Sequence, residues 1–95
     1  MRCPIIVRKT ESGLVAFFPG QPANYGSIQA FSKQDGHGEW GVSYYQLTHK
    51  ASDREISEFI AWYQAYSDSL PGEKEEYYPM HRLTYALEKK AWGSR

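Results

Sequence analysis

An α+β domain is what this sequence predicts. Four β-prone runs lie before residue 51, one long amphipathic helical period follows them, and no helix fits between the strands, which excludes a doubly wound parallel sheet. Strands followed by a helix in a short chain imply an antiparallel sheet of about four strands, arranged as two hairpins, with the helix packed on one face. The 95 residues form one domain, 1–95, and with 41% hydrophobic residues the core needs neither metal nor disulfides.

In the first run, Cys3, Ile5 and Val7 alternate with Ile6, Arg8 and Thr10, and Glu11-Ser12-Gly13 turns the chain into Leu14–Phe18, a predicted hairpin. Pro19–Gly26 holds two prolines and two glycines, so the strand ends there in a stiffened loop. Ser27–Lys33 and Trp40–Leu47 are the next two strands, joined across Gln34–Glu39, where Asp35-Gly36 supplies the positive φ of a second hairpin.

Ser52-Asp53-Arg54-Glu55 is a capping box, with Ser52 able to accept from the Glu55 N–H and Glu55 able to reach back. Beyond it Ile56, Phe59, Ile60, Tyr63, Tyr66 and Leu70 recur at three- and four-residue steps, which predicts a helix from Asp53 to about Ser69, stopped by Leu70-Pro71-Gly72. Residues 71–78 read as a linker, with Glu73-Lys74-Glu75-Glu76 solvated. Over residues 79–92 two periods compete. Met80, Leu83, Leu87 and Ala91 fit a helix with Pro79 in its first turn, the favoured reading, while Leu83, Tyr85 and Leu87 fit a strand.

The chemistry-bearing motifs dissolve on inspection. Gly36-His37-Gly38-Glu39-Trp40-Gly41 has the letters of a dinucleotide fingerprint, but β-prone residues follow it where the fingerprint requires a helix N-terminus. His37, His49 and His81 show no metal-ligand spacing with Cys3, Asp35 or Glu39, so no metal and no cofactor are expected. Cys3 lies on a strand before Pro4, away from any helix that would lower its pKa, and reads as a structural thiol. GxSxG is absent, and no enzyme is expected.

Composition bounds the partners. Eleven basic and eleven acidic residues give no net charge, which removes the bulk attraction to nucleic acid. The charges are nonetheless segregated, with seven acids and two bases over residues 51–78. The opening MRCPIIVRKT carries an apolar run broken at Arg8, too short for a signal peptide or a membrane span. With a single cysteine, a reducing cytoplasm is the expected compartment.

Three Trp, eight Tyr and four Phe exceed what one helix stripe and one sheet face conceal. Trp40, Tyr44 and Tyr45 on the fourth strand, with Asn24 and Tyr25 in the Pro-Gly loop, are therefore the expected contact residues. The expected role is non-catalytic binding of another protein. The alternative is a single-stranded nucleic-acid module whose sheet aromatics stack bases beside Arg8, Lys9 and Lys33. Nothing in the sequence specifies the oligomeric state.

Overall fold

The computed structural model describes residues 2–24 and 26–83. The elements are β1 (Arg2–Thr10), β2 (Gly13–Phe18), β3 (Ser27–Ser32), β4 (Gly36–Gly41), α1 (Val42–Gln46), β5 (His49–Lys50), α2 (Asp53–Asp68) and β6 (Glu76–Pro79). The class is α+β. The strands run in the order β4-β3-β2-β1-β5 with every neighbour antiparallel, and β6 adds a parallel pairing to the first half of β1.

The first expected hairpin is present, and the second forms with a tighter turn and an earlier second strand than expected, Gly36–Gly41 in place of Trp40–Leu47. β1 meets β2 in the register Ile6 opposite Phe17, and Thr10 accepts from the Ser12 N–H to hold the turn, where Gly13 takes φ +129°. β3 meets β4 with Phe31 opposite His37, and Ser32 accepts from the Asp35 N–H before Gly36 at φ +72°. Positive φ is what a tight reversal demands and glycine supplies.

α2 begins at its capping box. Ser52 Oγ accepts from the Glu55 N–H at 3.1 Å, and Glu55 Oε1 accepts from the Ser52 N–H at 3.0 Å. Glu55 also pairs with Lys9 at 3.1 Å, tying the start of α2 to β1. Ile56, Phe59 and Tyr63 bury against Cys3, Ile5, Val7, Ala16, Phe18 and Phe31, the residues of one sheet face. Each large side chain so buried stabilises by roughly 1.5–3 kcal/mol before entropy is counted.

The opposite face is covered too, which the sequence reading did not foresee. Ile6, Val15, Phe17, Ile28 and Ala30 pack against Val42 and Tyr45 of α1 and against Leu83. Val42–Tyr45 is therefore no continuation of a strand: β4 starts at Gly36, ends at Gly41, and the chain turns into α1. Val42 and Tyr45 are both buried at a three-residue step, while Ser43 and Tyr44 face out. Burying that pair outweighs the β propensity of the run.

Two more elements differ from expectation. Residues 71–78 do not remain a linker throughout, because Arg2–Ile5 pairs with Glu76–Pro79, and the Tyr77 N–H donates to Gln64 Oε1 at 2.9 Å. Pro79 ends β6 and does not open a helix as its position predicts, and no helix forms over 80–83. The rest of the 79–92 segment lies outside the described residues.

Candidate functional site

β4 forms one end of the sheet, and among the described residues its outer edge has no strand partner. Trp40 sits on this edge strand opposite Ile28, half-buried, with its ring edge-on to Phe17 at 5.9 Å and to Tyr44 at 6.0 Å. Tyr44 is 56% exposed and Leu47, one residue past α1, is 73% exposed. The indole is a wall shared by three shallow grooves. One, of about 310 Å³, opens towards the two hairpin turns; a second runs along Tyr44, Leu47 and His49; the third is bounded by Asp35, Glu39, Gly41 and Tyr44.

The predicted contact residues thus separate. Trp40 and Tyr44 come together on the β4 edge. Tyr45 points the other way and is only 8% exposed: its ring meets Phe17 at 5.5 Å, its hydroxyl accepts from the Leu83 N–H at 3.2 Å, and the Arg8 guanidinium lies 4.9 Å from its centroid. Asn24 braces the site from outside, since its backbone N–H donates to Glu39 Oε1 at 2.9 Å and its Nδ2 to Oε2 at 3.2 Å. Tyr25 lies outside the described residues.

A second aromatic group, not among those contact residues, flanks the same end of the sheet on the α2 face. Trp62 and Tyr66, one helical turn apart, stack at 5.8 Å and 2° over Phe31, both partly exposed, and Lys33 Nζ stands 4.2 Å above the indole. The four-residue spacing of Trp62 and Tyr66 was the available signal, and Leu47 was obscured by its assignment to a strand.

Titratable groups here are engaged singly. Asp35 accepts from Ser32, Glu39 from Asn24, and His37 Nε2 lies 2.7 Å from the Tyr63 hydroxyl. Among the described residues no three of the His, Cys, Asp and Glu side chains converge as a metal site would require. Burial pushes the Cys3 thiol up, opposite to what a nucleophile needs.

The cations on and beside the strands are engaged separately: Arg2 covers Tyr78, Arg8 bonds Thr48 at 2.8 Å, Lys9 pairs with Glu55 and Lys33 covers Trp62, while Lys50 of β5 stands opposite Arg8. No described helix is long and apolar enough to cross a membrane. No protein-family model, curated protein or solved structure matches this chain.

Proposed function

We propose that the chain is a non-catalytic protein-interaction domain acting in the cytoplasm, and that Trp40, Tyr44 and Leu47 along the β4 edge form its contact surface. The observation that carries this reading is the juxtaposition of a strand edge that has no partner among the described residues with exposed aromatic and aliphatic side chains. Edge strands expose main-chain donors and acceptors that a partner's backbone can use, and amphipathic rings anchor such contacts at low entropic cost. A reducing compartment suits a free, buried Cys3 thiol. Single-stranded nucleic acid is the weaker reading, since Arg2, Arg8, Lys9 and Lys33 are each engaged within the fold and offer no continuous track to phosphates.

The test places a photo-cross-linking amino acid at position 44, with position 68 on the far end of α2 as control, in cells producing the full chain. Protein adducts at 44 and none at 68 are expected. In parallel, labelled poly-U and poly-dT are titrated at two salt concentrations, where binding no tighter than about 10⁻⁴ M is expected. Micromolar binding that weakens steeply with salt replaces the protein reading with the nucleic-acid one.

A further inference from the structure

We infer that β6 is a strap latched by a single side chain, the Gln64 carboxamide of α2, and that opening of this strap is what uncovers the Cys3 thiol. The strap lies on the β1 side of the sheet, away from β4, and its action is independent of the contact-surface reading.

The polar groups of successive residues in a strand point to alternate edges. β6 turns one edge to β1, in the parallel register Arg2 opposite Glu76 and Cys3 opposite Tyr77. The Glu75 carbonyl and the Tyr77 N–H point away from β1, where a further strand would bind them, and Gln64 takes both. Its Nε2 donates to the Glu75 carbonyl at 2.7 Å, and its Oε1 accepts from the Tyr77 N–H at 2.9 Å. Nε2 also donates to Asp68 Oδ1 at 3.1 Å, which fixes the end of the amide that carries nitrogen. One side chain thus stands in for a neighbouring strand and closes this edge.

The segment is built to open by itself. β6 has four residues, of which Glu76 and Pro79 are exposed, and it is reached from α2 through exposed Pro71–Lys74, with Gly72 at φ +111° as a hinge. Its other ties are the Tyr77 ring against Phe18 and Tyr63, the Tyr77 hydroxyl 3.2 Å from Ser67 Oγ, and the Met80 N–H donating to the Ile5 carbonyl at 2.9 Å. Short elements with little buried surface are those that open before the whole fold does. Cys3 lies beneath, opposite Tyr77 and 7% exposed, with Gln21 Nε2 3.9 Å from Sγ on the side of the Pro-Gly loop. Closed, the strap keeps thiol-reactive electrophiles out, and burial together with the Glu75 charge disfavours the thiolate that would attack them. Opening lifts both restraints.

Alkylation by iodoacetamide, in which the sulfur loses its proton and displaces iodide, reads the opening, because Cys3 is the only cysteine of the chain. In the unaltered full chain the rate is expected to stay flat over low urea, where the population of globally unfolded chain rises steeply, as a local opening requires. A rate that climbs with the slope of global unfolding overturns the strap. Gln64→Met keeps the bulk and removes the bonds to Glu75, Tyr77 and Asp68, so it is expected to speed alkylation about tenfold or more. Hydrogen exchange of the Tyr77, Tyr78 and Met80 amides should quicken with it while the β1–β2 hairpin stays protected. Gln64→Glu, which sets an oxygen against the Glu75 carbonyl and the Asp68 carboxylate, is expected to speed both further. Gln29→Ala frees the Pro22 carbonyl and loosens the loop on the other side of the thiol, and is expected to leave the rate within about twofold of the parent. Unchanged alkylation in both Gln64 variants, equal acceleration by Gln29→Ala, or loss of protection throughout the fold each overturns the latch.

Discussion

Asn24 grips both oxygens of the Glu39 carboxylate, one from its backbone N–H and one from its side chain, and so fastens the Pro-Gly loop to the edge strand. Gln29 Nε2 adds a bond to the Pro22 carbonyl at 3.0 Å, so the loop is held at two points. Asn24, itself exposed, thereby ties the loop to β4 through Glu39.

Replacing Asn24 by Ala removes only the side-chain donor and leaves the backbone bond. The expected cost is about 0.5–1.5 kcal/mol, a fall in melting temperature of several degrees for a domain of this size. Glu39→Gln keeps the shape but loses the charge assistance, and should cost less than Glu39→Ala, which leaves both donors unpaired. Calorimetry on the three variants checks the order.

Tyr44 and Tyr45 are neighbours in sequence with opposite expected phenotypes. Tyr45→Phe removes the acceptor of the buried Leu83 N–H and should cost about 1–3 kcal/mol, while Tyr45→Ala opens a cavity beside Phe17 and should cost about 3–5 kcal/mol. Tyr44→Ala should stay within about 0.5 kcal/mol of the parent and act instead on partner binding. Denaturant melts of all three decide the matter, and equal destabilisation by the two alanine variants would contradict the orientation of α1.

This pair also shows where sequence reading stops. The capping box, the α2 stripe, the first hairpin and the turn of the second rest on interactions between residues near in sequence, so their letters sufficed. Val42-Ser43-Tyr44-Tyr45 is β-prone by composition, yet its helix is fixed by Val42 and Tyr45 settling on Ile28 and Phe17, contacts that no local pattern encodes. The parallel pairing of β6 with β1 joins residues more than seventy positions apart, and nothing within Glu73–Pro79 announces it. Of the contact surface, the aromatic surplus was legible; which ring points out was not.

Tyr63 yields a prediction about pH. Its ring is buried among Phe18, Phe31, Phe59 and Tyr77, and burial, reinforced by the neighbouring Tyr77 phenol, holds its ionisation well above the ordinary phenol range. The folded state therefore keeps this proton more tightly than the unfolded one, for which a value near 10 applies. A group raised in this way contributes stability in full below its unfolded value, and that stability drains away as pH climbs above about 10. Tyr63→Phe keeps the ring, gives up the hydroxyl's 2.7 Å contact with the exposed His37, and removes the titration. Near neutrality the variant should lose no more than about 1 kcal/mol, since water can take over the bond to His37. Between about pH 10 and 12 its stability should fall less steeply than the parent's, so that the two curves converge. Urea melts across that range measure both slopes. Parallel curves would show that the Tyr63 phenol ionises alike in the folded and unfolded chain, and its burial beneath α2 would be refuted.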